Sequence, residues 1–331
     1  PVRVTTPLCA RYSLLDLPHY RLGRLPEGMP ALLRRLGSDL YNAPADVTNF
    51  VNLELGQPMH AFDRQKVVGE IRVDELADEA EILALDGKAY GLPKGALVIC
   101  DAEKIIAVAG VIGCMNSCVS NETVGGILLE SAIFDPVRVR LTARAMKLST
   151  RASFRFERGG DLAMIPLAQA RALQLLGESA AGFTDIWPTP LPPRQVSLRV
   201  SRVALELGRA LPAGEIVARL QHLGFGVARE GEDLLRCEVP PRRVWDVEAE
   251  QDLVEEIAKA YGYNDLPEIL PPIVPGAPTH TQRDELDARV QSVLVGAGFH
   301  EVIGPALHGP DLSEGLPIAA GHRLATFVKT T

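Results

Sequence analysis

The sequence predicts an α+β protein with a mixed or largely antiparallel sheet. Over the first 190 residues, short apolar runs of strand length bounded by glycines alternate with helical segments. Two proline-rich stretches, 188–193 and 266–278, then divide the chain. We therefore expect three parts. These are an α+β domain over 1–190, a small winged-helix-like module over 191–265, and a proline-rich linker with the start of a truncated α/β domain over 266–331.

The elements of the first domain follow from apolar periodicity and from turn residues. A helix is expected over 166–176, because Pro166 suits a first helical turn and Gly177 suits a helix end. We interpret 46–63 as a strand-like segment with polar side chains inserted in it. Three further runs have strand composition: Val68–Val73, Ile105–Ala109 and Ile127–Leu129.

The second part alternates short helices with short strands, which is typical of a small helix–strand module. A final helix over 283–295 and a strand from His300 to Ile303 begin the third part, which is too short to bury a core by itself. The predicted elements of the module are a strand over 196–200, helices over 201–207 and 215–223, a strand over 234–239 and a helix over 250–261.

Composition limits the classes of function. The chain has 331 residues and a net charge of −8, so any contact with nucleic acid needs a local basic patch. No apolar run approaches the ~20 residues of a membrane helix. Five cysteines, an odd number, indicate reduced thiols and a cytoplasmic protein.

DNA binding is not expected, because the helix over 215–223 carries only Arg219 and His222. The start at Pro1, without Met or a signal peptide, indicates a fragment.

Three polar side chains in the segment 46–63 are candidates for a substrate site. Thr48, Asn49 and His60 can all form hydrogen bonds with a ligand. The alternative is structural: Thr48 and Asn49 complete a turn, and His60 is an ordinary, partly buried histidine. Residue type alone favours this alternative.

A glycine pair and a carboxylate follow two predicted buried strands. Gly110 and Gly113 permit close approach of the backbone to a ligand, or simply form a bend. Glu130 ends the apolar run 127–130, where its carboxylate can accept a hydrogen bond from a ligand hydroxyl. The alternative for Glu130 is a solvated strand end.

A basic stretch spans Pro136 to Arg158. It holds seven basic residues and one acid, Glu157, in a chain that is acidic overall, and such a concentration of positive charge suits phosphate. A solvated face with ion pairs to distant acids is the alternative. The seven residues are Arg138, Arg140, Arg144, Lys147, Arg151, Arg155 and Arg158.

Four carboxylates lie on or just before the predicted helix 250–261. Asp252, Glu255 and Glu256 share one helical face, and Asp246 precedes the helix. Oxygen ligands at this density suit Mg²⁺. The alternative is equally favoured: acids near a helix N-terminus stabilise the helix dipole, and Glu255 can pair with Lys259.

Five segments together resemble the β chain of bacterial phenylalanyl-tRNA synthetase (phenylalanine–tRNA ligase), in the order of that family and from about Cys9 to Glu301. The segments are DVTNFVNLELGQPMHAFD (46–63), AGVIG (109–113), LLE (128–130), TRASFRFERGGD (150–161) and DLVEEIAKAYGY (252–263). The resemblance implies that the first domain is an editing domain and that the third part is the start of a synthetase-like domain.

The resemblance implies a function and a set of site residues. The whole enzyme charges tRNA(Phe) with ATP and Mg²⁺ at a site in its α chain, as a heterotetramer of two α and two β chains, and the β chain hydrolyses tyrosine wrongly attached to that tRNA. Asp246, Asp252, Glu255 and Glu256 would hold Mg²⁺ at a site that the α chain shares and completes. The basic stretch would hold the tRNA end. The implied pocket comprises Thr48, Asn49, His60, Gly110, Gly113, Glu130, Thr150 and Ala152.

We expect Glu130 to be a charged acceptor for the tyrosine hydroxyl, and Thr48, Asn49 and His60 to orient the ester and a water molecule. The sequence departs from the family beside this pocket, at 114–118, 42–43, 146–147 and Phe154. A non-catalytic subunit that supports the α chain and binds tRNA, with a degraded pocket, is therefore the alternative function.

Overall fold

A computed structural model describes residues 1–188, 190, 193–268, 276 and 281–303. The chain divides into two compact units, Pro1–Ile269 and Leu270–Thr331. Most of the two proline-rich stretches and residues 304–331 lie outside the described residues. No helix in the described part of the chain is long and apolar enough to span a bilayer.

The first part of the larger unit is a mixed α/β fold with mainly antiparallel sheets, as the sequence predicts. Its strands are β1 (Val2–Val4), β2 (Cys9–Leu17), β3 (Met59–Asp63), β4 (Ile71–Glu75), β5 (Ala80–Leu83), β6 (Ala89–Leu92), β7 (Leu97–Cys100), β8 (Ile105–Val108), β9 (Ile112–Gly113), β10 (Ile127–Phe134) and β11 (Gly182–Ile186). Its helices are α1 (Met29–Arg35), α2 (Ala43–Leu55), α3 (Pro136–Ala145), α4 (Arg151–Phe156) and α5 (Met164–Leu176).

Two sheets organise this part. One has the order β1-β4-β7-β8-β9, with only the β1–β4 pair parallel among its described pairs, and the other has the order β11-β2-β10-β3 and is antiparallel. All eight residues of β10 are buried, because helices α2 and α5 cover one face of its sheet and the main core covers the other. A strand buried on both faces shows no apolar alternation.

Two predictions about the local structure of this first part are wrong. The segment predicted as strand-like from residue 46 begins inside helix α2, which Asn42 caps by accepting a hydrogen bond from the Ala45 N–H at 3.0 Å. Gly56, with φ +75°, ends the helix, and only β3 is a strand. Glu130 lies in the middle of β10 rather than at a solvated strand end, because the strand continues to Phe134.

The second part of the larger unit has its own core. Its sheet, in the order β12-β14-β13, is antiparallel, and the side chains of Leu198, Ile216, Leu235 and Ile257 are fully buried against each other. The elements are β12 (Gln195–Arg199), α6 (Val200–Leu207), α7 (Ala213–His222), β13 (Gly226–Arg229), β14 (Leu234–Glu238) and α8 (Glu250–Tyr261).

Trp245 joins the two parts of this unit. Its indole Nε1–H donates a hydrogen bond to the carbonyl oxygen of Gly160 at 2.7 Å, and its ring packs against the main core of the first part. The neighbouring Gly159 has φ +84°, and a Cβ atom added there would lie 2.2 Å from the Trp245 ring. This contact comes directly after α4 in the chain, so it helps to hold that helix in place.

We predict that Gly159→Ala lowers the free energy of unfolding by about 2–4 kcal/mol, because it combines an unfavourable φ with a clash against the indole. Gly177→Ala is the matched control: its φ is +69°, and a Cβ atom there would meet no described atom within 4 Å. The control should lose only about 1 kcal/mol. If urea unfolding shows that both variants lose the same free energy of unfolding, the contact between Gly159 and Trp245 is not tightly packed.

The smaller unit contains α9 (Gln282–Gly296) among its described residues. The Thr281 hydroxyl caps the helix by accepting from the Asp284 N–H, and Asp284 accepts from the Thr281 N–H, which forms a capping box. The described residues 300–303 form no strand, so the strand predicted there is wrong.

Candidate functional site

A cavity of about 620 Å³ opens between α2, the β3–β10 edge of the sheet, the 110–113 loop and α4. All eight residues that the sequence predicts for a pocket line this one cavity, although they span more than a hundred positions in the chain. They are Thr48, Asn49, His60, Gly110, Gly113, Glu130, Thr150 and Ala152. Their roles stay a prediction; the geometry determines which roles are possible.

Glu130 and His60 face the cavity from neighbouring strands. They are cross-strand partners in the antiparallel β10–β3 pairing. Glu130 lies on the same face of β10 as Leu128 and Ala132, and its side chain is 6% exposed. The His60 ring stacks edge-on against Phe62, with centroids 4.5 Å apart.

Burial keeps both groups neutral near pH 7. It raises the pKa of Glu130 to about 8 and lowers the pKa of His60 to about 4, because each charged form loses its hydration. The Nε2 atom of His60 is buried and has no hydrogen-bond partner among the described residues. The predicted role of Glu130 as a charged acceptor therefore requires, in the free chain, a pH above about 8.

We predict that Glu130 makes folding stability fall as the pH rises from 6.5 to 8. The folded chain keeps this proton up to about pH 8, whereas the unfolded chain releases it near 4.5. The folded state thus binds more protons in this window, which lowers its stability by ~1.4 kcal/mol per pH unit, or about 2 kcal/mol in total. Urea unfolding of Glu130→Gln should lack this loss; the same pH slope in both proteins would contradict it.

His60 affects folding stability in a lower pH range than the one used to test Glu130. Its folded-state pKa lies below the ordinary value of 6.5, so the unfolded chain binds more protons between about pH 4 and 6.5. The stability contribution of neutral His60 is therefore lost as the pH falls through this range. Because Glu130 and His60 act in opposite directions below pH 6.5, the window from 6.5 to 8 isolates Glu130.

The two glycines of the cavity, Gly110 and Gly113, are required for different structural reasons. A Cβ atom at Gly113 would lie 2.4 Å from Cε1 of His60, so this glycine leaves room for the imidazole. Gly110 has φ +71°, and a Cβ there would lie 2.9 Å from Val139 and 3.1 Å from Phe156. Gly110 thus forms a close-packed turn, whereas Gly113 bears directly on the position of His60.

Two of the predicted hydroxyls are already engaged. The Thr48 hydroxyl donates to the carbonyl oxygen of Ala45 at 2.8 Å, within helix α2. The Thr150 hydroxyl donates to the carbonyl oxygen of Val111 at 2.8 Å and accepts from the Ser153 N–H at 3.0 Å. Thr150 therefore ties the start of α4 to the 110–113 loop, and what remains for a ligand is the acceptor capacity of the Thr48 oxygen.

Asn52 is a buried polar residue of the cavity that was not among the residues predicted from the sequence. Asn52 lies one helical turn after Thr48, is 6% exposed and lines the cavity, and its Oδ1 atom has no hydrogen-bond partner among the described residues. The helical spacing of Thr48 and Asn52 was the signal that could have found it. The strand-like interpretation of this segment hid that spacing.

The four carboxylates predicted to bind Mg²⁺ are engaged by other groups. The Arg243 guanidinium donates to both Glu256 carboxylate oxygens, at 2.6 and 2.8 Å, and also pairs with Asp246 at 2.9 Å. Lys259 pairs with Glu255 at 2.8 Å and with Glu256 at 3.1 Å. The hydrogen bonds from Arg243 are the main reason that the pKa of Glu256 falls to about 2.

Asp252 is used as a helix cap. Its Oδ2 atom accepts from the backbone N–H groups of Glu248 and Ala249, each at 2.8 Å. In the part of the chain that the structure describes, no set of three or more His, Cys, Asp or Glu side chains is arranged to hold a metal ion. The residues do not fit Mg²⁺ in this arrangement, because Arg243 and Lys259 already supply the compensating charge.

Comparisons with known proteins identify two domains in the chain. The model of the "B3/4 domain" family matches residues 8–181, and that of the "tRNA synthetase B5 domain" matches residues 196–263. A fragment of the phenylalanyl-tRNA synthetase beta subunit from Pyrococcus horikoshii aligns with 79% of this chain and 74% of its own, at 14% identity and a TM-score of 0.37.

Three similar proteins are named phenylalanine–tRNA ligase beta subunit. The Salinibacter ruber protein is 38% identical over 97% of this chain, and the Geobacter metallireducens protein is 37% identical over 94%. The Vibrio cholerae protein is 40% identical over 84% of this chain. The aligned regions cover 39%, 40% and 35% of these relatives, so the chain spans about two fifths of their length. The chain thus belongs to the B3/4 domain family, carries a match to the B5 domain after it, and aligns with about two fifths of the length of proteins named phenylalanine–tRNA ligase beta subunit.

Proposed function

We propose that this chain is part of the β subunit of a phenylalanine–tRNA ligase, and that its cavity hydrolyses tyrosine wrongly attached to tRNA(Phe). The single observation that carries the proposal is the buried carboxyl group of Glu130 in the cavity, opposite His60. A buried carboxyl group in an apolar strand destabilises the fold unless it has a use or a partner. A ligand hydroxyl would supply the partner.

The chemistry of the two amino acids gives Glu130 its role. Tyrosine differs from phenylalanine by one hydroxyl, and a pocket made of apolar contacts rejects such an analogue only weakly. In the cavity, the tyrosine hydroxyl would donate to Glu130. A phenylalanine ring would leave the carboxyl group without a partner, which costs about 1–3 kcal/mol.

The cavity supports hydrolysis by a positioned water molecule. Neutral His60 offers Nε2 to the water or the ester, and the amides of Asn49 and Asn52 can orient the ester carbonyl. No serine or cysteine of this cavity is paired with a histidine among the described hydrogen bonds, so we assign no covalent nucleophile. A ribose hydroxyl of the tRNA would assist the water.

The remaining functions belong to the whole enzyme. We propose that ATP and Mg²⁺ serve aminoacylation at the α chain and not in this chain, and that two α and two β chains assemble in the cytoplasm. Mg²⁺ bound by Asp246, Asp252, Glu255 and Glu256 would require Arg243 to leave Glu256, for example at an interface with the α chain.

Binding of a non-hydrolysable analogue tests the proposed site. Adenosine carrying tyrosine through a 3′-amide should bind the chain more tightly than the phenylalanine analogue, and its ring protons should contact His60 in NMR spectra. If neither analogue binds, the alternative of a subunit without a working pocket, which supports the α chain and tRNA binding, replaces this proposal.

A further inference from the structure

The basic stretch over 136–158 divides into cations with partners and cations without. Arg138 lies 3.6 Å from Glu75, Arg158 pairs with Glu157 at 2.5 Å, and Arg151 donates to the carbonyl oxygen of Gly37. By contrast, within the described residues no ion pair or side-chain hydrogen bond involves Arg140, Arg144 or Lys147. These three side chains are exposed.

Arg155 also has no ion pair or side-chain hydrogen bond among the described residues, but it is half-buried; the three exposed unpaired cations line one groove. It has a volume of about 660 Å³ and runs between α3 and α4. Arg140 and Arg144 are one helical turn apart on α3, which places their side chains side by side along its wall. Lys147 follows at the end of the same helix, and the exposed Ser149 adds a hydroxyl.

Helix α4 separates this groove from the cavity. Ala152 and Phe156, one turn apart, line the cavity. Ser153 and Glu157, also one turn apart and each next in sequence to a cavity residue, line the groove on the adjacent face of the same helical segment. A polymer whose end enters the cavity across this helix would pass within about one helix diameter of the three cations.

Lys147 supplies a second, independent observation. It is the one non-glycine residue with positive φ among the described residues, at φ +52°. Its N–H bonds to the Arg144 carbonyl oxygen and the Leu148 N–H to the Ala143 carbonyl oxygen, a helix ending in which glycine is the favoured residue at this position. A lysine there destabilises the fold, and such outliers persist where the side chain has a use.

We propose that the groove formed by Arg140, Arg144 and Lys147 binds backbone phosphates of the RNA whose esterified 3′ end enters the cavity. This rests on the proposed function for the identity of the polymer. Arginine forks suit phosphate oxygens, and three unpaired cations concentrated in a chain of net charge −8 form a local attraction for a polyanion.

The groove is tested by measuring how a deacylated tRNA(Phe) transcript binds to the full chain at salt concentrations between about 50 and 200 mM. Replacing Arg140, Arg144 and Lys147 together by Ala should lower the slope of log Kd against log salt by about 2–3, because each phosphate contact contributes about 0.7–0.9. The variant Arg140→Lys with Arg144→Lys should keep the slope. The charge-matched control replaces Arg3, Arg209 and Arg229, which are exposed and line neither the groove nor the cavity.

Lys147→Gly gives the sharpest single test. It should raise the urea midpoint of unfolding, because glycine relieves the positive φ, and yet lower the salt slope by about one. A purely structural lysine would change stability alone.

The proposal is overturned if the triple variant and its control have the same slope, or if the triple variant loses an acidic protein partner while it binds tRNA normally. Because the transcript is deacylated, the outcome is independent of hydrolysis. If the triple variant shows the expected decrease in salt slope but the unmodified chain hydrolyses no ester, the proposed function is rejected and the phosphate-binding role of the groove stands.

Discussion

Above about pH 8, where Glu130 is charged, Glu130→Gln is expected to reduce the preference for tyrosyl over phenylalanyl esters by about 10- to 100-fold, corresponding to the ~1–3 kcal/mol of a buried hydrogen bond to a charged group. The amide fills the same space and still offers an oxygen, so hydrolysis of the phenylalanyl ester should change little. The measurement is hydrolysis of Tyr-tRNA(Phe) and Phe-tRNA(Phe) by the assembled enzyme with each form of this chain.

The pH dependence of this preference gives an internal check. Because burial raises the pKa of Glu130 to about 8, the carboxyl group becomes charged as the pH rises through 8, and its hydrogen bond with the phenol becomes stronger. The preference of the unmodified chain should therefore rise from pH 7 to 9, while that of Glu130→Gln stays constant. Equal losses on both esters would assign Glu130 a structural role.

His60→Ala should slow hydrolysis of both esters by about 100-fold and leave their ratio unchanged, because the imidazole is proposed to position the ester and water rather than to recognise the ring. Gly113→Ala should reproduce most of this loss, since its methyl group would occupy the space of the His60 ring. Single-turnover rates with saturating enzyme separate this effect from weaker binding.

A remote histidine provides the control. His222→Ala lies on α7 in the second part of the larger unit, is exposed, and should keep the original rates. A loss confined to the tyrosyl ester in His60→Ala would contradict the proposed division of roles, since it would make His60 a recognition residue.

Much of the fold could be predicted from local sequence signals. Helix α8 has the predicted bounds, and α9 differs from its prediction by one residue at each end, because both carry amphipathic or capping patterns that local rules describe. Helix α2 was misinterpreted because its polar residues, such as Thr48 and Asn52, face a cavity rather than solvent. A helix with polar groups on an inward face shows little amphipathic contrast.

The candidate site could be predicted only in part. Its residues come from α2, β3, β10, the 110–113 loop and α4, and only the pairing of β3 with β10 places His60 opposite Glu130. The acids near α8 show the opposite failure. Their spacing on one helical face was predicted correctly. Arg243, however, donates two hydrogen bonds to Glu256 from outside the helix, and no local sequence pattern indicates that contact.

Hydrolysis of Tyr-tRNA(Phe) and Phe-tRNA(Phe), side by side, by the assembled enzyme that contains this chain tests the central claim most directly. The account predicts that the tyrosyl ester is released at least about tenfold faster, as the loss of one hydrogen bond to Glu130 requires. It also predicts that the release of the tyrosyl ester depends on His60. Equal rates for the two esters, or release of neither, would contradict it.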